Sequence, residues 1–351
     1  MWVDAIDGWL VLGREAAVDV MRDAATFTVD DPRFTTAQVV GPSMLSLDGD
    51  EHTRHRAPFV APYRRGALGD LEAWIEAEAA RLIHEIRPLG EAELRTSFAG
   101  PLATAAIHRS LALADTDPAD LLGWYRSIVE AVSDLSEGRP VKDDAATAMA
   151  ALRVAVGRTI IERPDSMLAG ARRDLTEAEV AQNAAIVLFG AIETAEGMIT
   201  NALWHLLNTP GLIGEVASDH RLIPALVEES LRVEPAAAAV DRYATVACEF
   251  RGVKISQGDF VRVSLSAANR DPAVFADPDA LAIHRPDARR HLSFAAGPHL
   301  CIGLMLARIE TVAALEAVLA GLSDLGLEED RTDPPTGLIF RKPDRLTARW
   351  G

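Results

Sequence analysis

The residues with the strongest chemical signature lie near the end of the chain, in FAAGPHLCIG (294–303). Cys301 is one of only two cysteines among 351 residues, with Gly297 four positions before it and Gly303 two after. Two roles fit a cysteine so placed: a small apolar residue filling a turn, or a thiolate ligand. The run that follows, IGLMLARIETVAALEAVLAGL, is helical in pattern and largely apolar. Cys301 is therefore expected at a helix N-terminus, where backbone N–H groups and the macrodipole stabilise a thiolate. A second chemical pair, Glu193-Thr194, stands inside an apolar stretch. A carboxylate buried there costs several kcal/mol, roughly, unless it is paired, protonated or wetted. The alternative is a glutamate on one polar stripe beside an ordinary threonine. Glu229 and Arg232, at i and i+3, share one helix face and read by themselves as a surface ion pair. His52 and Arg56, at i and i+4, can reach one anion or simply end a solvated basic turn.

The elements that must position these residues are mostly helical. LGDLEAWIEAEAARLIHEI (68–86) and LLGWYRSIVEAVSDL (121–135) repeat apolar residues every three or four positions. In 175–210, Thr176 and Glu179 form a capping box and Pro210 stops the far end. About 30 residues at about 1.5 Å each predict a helix of roughly 45 Å, buried through its apolar middle. PALVEESLRVEP (224–235) reads as a short helix ended by Pro235. Strand-like text is confined to GWLVL (8–12) and to 242–267, where Arg251-Gly252 and Gln257-Gly258 punctuate short β-rich runs. Cys248 lies in the second of these and is expected to be structural. No repeat and no Pro-, Gly- or Ser-rich linker divides the chain, so a single, mainly α domain with a small β region is expected.

Composition narrows the functional classes. A formal charge of -17 opposes binding to nucleic acid, because neutralising phosphates needs the opposite sign. Two cysteines exclude a disulfide framework and suit a reducing compartment, and their spacing is no zinc pattern. The first residues, MWVDAIDGWLVLG, are acidic where a signal peptide needs basic ones. The densest apolar run, Ala184 to Ile192, falls far short of the ~20 residues of a membrane span. These features predict a soluble, cytoplasmic protein that binds no membrane.

Gly297 and Gly303 would let a flat, bulky group approach the backbone, and a thiolate held between them suits an axial position on heme iron. F-x-x-G-x-x-x-C-x-G from Phe294 to Gly303, Glu229-x-x-Arg232 and Glu193-Thr194 occur together and in order. With AANRDPAVFADPDALAIHRP (267–286), they make the whole chain resemble the cytochrome P-450 superfamily of heme-thiolate monooxygenases, of the soluble bacterial type. The resemblance implies heme b (iron protoporphyrin IX) with Cys301 as the proximal iron ligand and Phe294 packed beside it to tune the iron. Gly297 and Gly303 belong to the same cofactor-binding loop. It implies a structural triad of Glu229, Arg232 and Arg285, and heme-propionate contacts from His52, Arg56, Arg242 and His291. Glu193 and Thr194 would deliver protons to dioxygen, and Gly190, Ala191, Ala237 and Ala238 would line the substrate pocket. Further pocket walls are expected from the segments 27–48 and 122–150.

Three departures accompany the resemblance. The family's usual N-terminal segment, with its helix, is missing before GWLVL. Ala295 replaces a common glycine, and Ile192 and Ala195 flank the acid–alcohol pair where more polar residues are usual. The domain expected over 1–351 is a heme-thiolate monooxygenase acting on a small organic molecule, a natural-product intermediate by default. Lacking a G-x-G-x-x-G fingerprint and a flavin domain, it would take electrons from a ferredoxin or flavodoxin served by an NAD(P)H reductase. A peroxygenase or oxidative-coupling enzyme is the alternative, and a non-catalytic accessory protein the more distant one.

Overall fold

The computed structural model describes residues 1–136 and 139–351. The chain begins with β1 (Trp2–Val3), β2 (Gly8–Val11), α1 (Arg14–Arg22), β3 (Phe27–Thr28), α2 (Thr35–Val40) and α3 (Gly49–Val60). Next come α4 (Gly69–Ile86), β4 (Glu91–Glu93), α5 (Gly100–Leu111), α6 (Pro118–Ser136), α7 (Asp144–Glu162) and α8 (Met167–Ala171). The second half holds α9 (Glu177–Asn208), α10 (Leu212–Ser218), α11 (Ile223–Val233), β5 (Ala239–Ala244), β6 (Cys248–Phe250) and β7 (Val253–Ile255). It ends with β8 (Phe260–Ser264), α12 (Leu265–Ala268), α13 (Leu304–Gly321), β9 (Gly326–Leu327) and β10 (Thr347–Arg349). The fold is mainly helical with small sheets.

The periodic segments become helices for the reason their spacing gives. In α4, Ile75, Ala79, Leu82, Ile83 and Ile86 are buried on one face. The capping box of α9 closes as expected: the Glu179 N–H donates to Thr176 Oγ1 at 3.2 Å, and the Thr176 N–H donates to Glu179 Oε2 at 2.7 Å. That helix is long and apolar enough to cross a membrane, but two thirds of its apolar window is buried within the protein. It is a core helix. The segment 122–150, expected to supply pocket walls, is mostly the helices α6 and α7, the first of them as its spacing predicts; residues 137 and 138 lie outside the described residues. Leu121, Tyr125, Ile128 and Ala131 are the buried stripe that makes α6 a helix.

The chain forms two compact units. One comprises residues 28–71 and 104–192. In it α3 docks on the first half of α9 through polar pins: Arg54 pairs with Glu179 at 2.6 Å, and the Asn183 amide meets His55 Nδ1 at 2.9 Å. The other comprises residues 1–27, 72–103 and 193–351. Its strand order is β1-β2-β8-β5-β3, with β2 parallel to β8 and β5 antiparallel to it. A buried cluster of Ala17, Val20, Met21, Val261, Val263 and Leu292 joins α1 and β8 to the segment before Cys301. Ala295 and Ala296 pack on that cluster, so the cysteine loop is seated on a rigid base.

Candidate active site around Cys301

The loop's shape follows from two left-handed residues. Gly297 has φ +75°, and a Cβ there would stand 2.4 Å from the Met21 carbonyl oxygen and 2.9 Å from Arg22 Cα. Only glycine fits that approach to the end of α1. Ala295 has φ +59°, the region that the more usual glycine would enter without strain. The Cys301 N–H donates to the Phe294 carbonyl at 3.0 Å and closes the loop. Gly303 caps α13, which starts at Leu304, so Cys301 lies two residues before the cap rather than within the first turn. A Cβ on Gly303 would come 3.9 Å from Cys301 Sγ, so the glycine keeps that side of the sulfur open. Cys301 is exposed. Cys248 is half-buried on the apolar cluster, and burial, with Asp23 and Asp259 adding to it, pushes its thiol up. Cys301 is thus exposed where Cys248 packs on apolar side chains.

Behind the loop, the structure brings Glu229, Arg232 and Arg285 together. Arg232 and Glu229 are both 0% exposed, not a surface pair. Arg232 grips Glu229 through Nε at 2.8 Å and Nη2 at 2.7 Å, and Arg285 Nε reaches Glu229 Oε1 at 3.0 Å. The remaining Arg232 donors meet the carbonyls of Asn269, Pro278 and Ala280. All five N–H groups of the fork are therefore used, which is what makes such burial tolerable. Asn269 and Ser293 then carry the order forward to the loop. The Leu292 N–H donates to Asn269 Oδ1, and Ser293 Oγ donates to the Leu231 carbonyl at the end of α11.

A neighbouring network escaped the sequence. Glu228 receives Arg308 from α13 at 2.6 Å and His291 Nε2 at 3.1 Å. Burial pushes the Glu228 carboxyl up, but hydrogen bonds from His291 and Arg308 outweigh it and hold it at about 2. The Arg308 guanidinium also lies 4.6 Å from the centre of the Phe294 ring. His291, one of the expected propionate contacts, is engaged here on both sides: its Nδ1 accepts from the Ser293 N–H and its Nε2 meets Glu228. His299 lies partly exposed in the turn just before Cys301.

Of the other candidate anion contacts, Arg242 is 3% exposed on β5 and donates to the Asp241 carbonyl at 2.7 Å. His52 is buried and Arg56 half-buried, four residues apart on α3. Along α9, residues 184–189 are buried, whereas Gly190 is exposed and a Cβ there would meet nothing within 4 Å. Ala191, Glu193 and Thr194 are half-buried. The helix thus has an open stretch at its middle, where the acid–alcohol pair stands. Glu193 meets Lys342 Nζ at 2.8 Å, which supplies the pairing that its burial demands. Lys342, too, has no signal in the sequence. Ala237 is half-buried and bridges to Phe340, while Ala238 is buried, its N–H bonded to the Ile339 carbonyl at 2.7 Å.

Comparison with known proteins bears on these sites. A family model described as Cytochrome P450 matches residues 158–337. A curated relative, 20-oxo-5-O-mycaminosyltylactone 23-monooxygenase of Streptomyces fradiae, is 35% identical over 81% of this chain and 68% of its own. Among solved structures, P450BioI in complex with hexadec-9Z-enoic acid ligated acyl carrier protein superposes with a TM-score of 0.89 at 26% identity, covering 98% of this chain and 92% of that one. A post-tailoring hydroxylase involved in himastatin biosynthesis superposes with a TM-score of 0.88 at 25% identity, covering 100% and 93%.

Proposed function

The chain belongs to the cytochrome P450 family and is a cytochrome P450 monooxygenase, and from that premise we propose that it holds heme b on Cys301 and oxidises a natural-product intermediate. The observation that carries the reading is the exposed Cys301 thiol, held by a strained loop on a rigid base with glycine keeping one side of the sulfur open. The donor set fits that cofactor. Among the described residues no group of three or more His, Cys, Asp or Glu could enclose a metal ion. An iron bound here would rest on one thiolate, which suits a metal whose equatorial ligands come from a macrocycle.

When bound, the heme would supply dioxygen activation, with the overall balance RH + O2 + 2 e⁻ + 2 H⁺ → ROH + H2O. The chain's own residues have the remaining tasks. Cys301 ligates, with Phe294 and the Arg308–Glu228–His291 network fixing the loop around it. His52, Arg56 and Arg242 would hold the propionates, and His291 would join them only by giving up Glu228. Arginine's planar fork suits a carboxylate. Glu193 and Thr194 would carry protons from outside to the reacting oxygen, Thr194 by hydrogen bonding at the open face of α9 and Glu193 by swinging between positions. Gly190 and Ala191 on α9 would leave room for substrate, as would Ala237 on its own strand, with the buried Ala238 behind it. Electrons would come from a ferredoxin or flavodoxin with its NAD(P)H reductase.

The relatives that are named for 20-oxo-5-O-mycaminosyltylactone oxidation and for himastatin biosynthesis support a natural-product substrate. The test is the reduced carbon-monoxide spectrum of the purified protein. Wild-type and Cys248→Ala proteins are expected to give the thiolate-type Soret band, and Cys301→Ala to lose it. Retention of that band in Cys301→Ala would overturn the assignment. A panel of natural products screened for a spin-state shift then identifies the substrate class.

A further inference from the structure

Lys342 meets two carboxylates on α9 at once. Its Nζ lies 2.8 Å from Glu193 Oε1 and 3.0 Å from Glu196 Oε1, and the three side chains are 15%, 16% and 14% exposed. Arg95 Nη1 reaches Glu196 Oε1 at 3.0 Å and, through Nε, donates to the Asp344 carbonyl at 2.8 Å. Two acids therefore face two cations. Glu196 is confined on a further side, since its Oε2 lies 3.1 Å from where a Cβ on Gly100 would stand. Glu193 and Glu196 are three residues apart on one helix face, where like charges repel, and the ammonium between them cancels that repulsion. Glu196 is thus fixed from two directions, and Lys342 is the cation that ties Glu193 to it.

The origin of Lys342 matters as much as its charge. It ends a tight hairpin, 336–342, in which Thr336 bridges Lys342 and Phe340 bridges Ala237. The Ala238 N–H donates to the Ile339 carbonyl, and the Arg341 N–H donates to the Ala236 carbonyl at 2.9 Å. The Arg341 side chain pairs with Glu234, and the Asn201 amide donates to the Arg341 carbonyl at 3.0 Å. Leu338, at the hairpin's tip, is 86% exposed. The ammonium that reaches Glu193 is therefore carried on the backbone that pairs with 236–238. Backbone hydrogen bonds thus link 236–238 to the segment that carries Lys342.

We propose that Lys342 is a positioning residue that holds Glu193 against Glu196, and that the seating of the 336–342 hairpin on residues 236–238 sets whether Glu193 is held or released. The inference rests on the reading of Glu193 as a proton carrier. With an occupant beside Ala237 the hairpin shifts, Nζ leaves Glu193, and the carboxyl swings. With no occupant it stays held, so that reduced dioxygen is not protonated wastefully by O2 + 2 e⁻ + 2 H⁺ → H2O2.

The test uses substrate-free holoenzyme reduced through a ferredoxin and its NADPH reductase, with hydrogen peroxide release as the readout. Lys342→Met is expected to raise release about fivefold or more, Lys342→Arg to stay near the wild-type rate, and Lys342→Met to add nothing in a Glu193→Gln background. An equal rise in that background, or no rise at all, overturns the proposal. Hydrogen exchange of the wild-type holoenzyme provides a measurement without turnover or mutation. Adding 4-phenylimidazole as a distal occupant should change exchange at 336–342 and at 193–196 together, and a change at neither, or at one alone, also refutes it. The carbon-monoxide spectrum separates the two levels: loss of the thiolate band in wild-type protein removes the heme reading and this inference with it. A normal band with no effect of Lys342 sinks the inference only.

Discussion

Replacing Arg232 with alanine removes a guanidinium whose five donors are all engaged inside the protein. Glu229 would keep Arg285 and the Ala282 N–H on Oε1, but Oε2 would lose the Arg232 Nε that holds it. Stranding charge in this way costs about 3–5 kcal/mol. The carbonyls of Asn269 and Pro278 lose the guanidinium too, at about 1–3 kcal/mol for each that stays unsatisfied. The Ala280 carbonyl is spared in part, because Arg285 Nη2 stands 3.4 Å away. Set against a total stability of roughly 5–15 kcal/mol, this leaves little folded protein. Arg232→Lys keeps the charge but brings three donors to five acceptor contacts, so it should sit between alanine and wild type. Glu229→Gln with Arg232→Met removes both charges of the pair and should recover part of the loss. Soluble yield and urea unfolding followed by far-UV circular dichroism measure all three. An Arg232→Ala protein within about 1 kcal/mol of wild type would refute the reasoning, since a buried carboxylate oxygen and two carbonyls would each have lost a partner at almost no cost.

Thr194→Ala should still bind heme and consume NAD(P)H while reducing power leaks as hydrogen peroxide, with product falling by about 10²–10⁴ if the relay acts as a general acid. Glu193→Gln should slow turnover with less leakage, and unchanged coupling in Thr194→Ala would remove both from the proton route. Ala295→Gly should stabilise the protein by about 1 kcal/mol or less, because glycine enters the left-handed region without strain. A loss in urea melts would mean that the Ala295 methyl packs for more than its strain. The Glu228 carboxyl, held at about 2 against an ordinary 4.5, contributes stability that is complete above pH 4.5 and lost as pH falls through about 2. Burial lowers the His291 imidazole, although Glu228 opposes this, so His291 also favours the folded state above its ordinary 6.5 and costs stability below it. Glu228→Gln should flatten the acid limb between pH 4.5 and 2, and an unchanged acid-denaturation curve would argue against the network.

What the sequence disclosed was chiefly what local spacing encodes. The capping box at Thr176 and Glu179, the apolar stripes of α4 and α6, and the glycines around Cys301 each follow from residues a few positions apart. The same spacing misleads where burial decides. Glu229 and Arg232 at i and i+3 look like a surface pair until Asn269, Pro278 and Ala280 enclose them. Glu228 and Glu229 are neighbours in sequence, yet a turn of about 100° per residue sends one toward Arg308 and His291 and the other toward Arg232 and Arg285. No periodicity announces that division of labour. Lys342 lies in text without helical or strand pattern, and only the hairpin's pairing with 236–238 brings it to Glu193. For a related reason the resemblance could mark His291 as a candidate contact but could not show that both its ring nitrogens are engaged by Ser293 and Glu228.

The turn at Gly337 sets rules for anyone who would redesign specificity through this hairpin. Its φ is +119°, and a Cβ would stand 1.9 Å from the Phe340 carbonyl oxygen, so every other residue is barred there. With Gly337 fixed, the count from it to Lys342 is fixed as well, and inserting or deleting one residue would turn the lysine to the opposite side of the strand. Libraries can vary the exposed tip at Leu338 freely and Ile339 with care, but should conserve length, Gly337, Arg341 and Lys342. Grafting a relative's loop of another length would alter the geometry around Glu193, and with it, on the proposal above, the coupling of oxygen use to product.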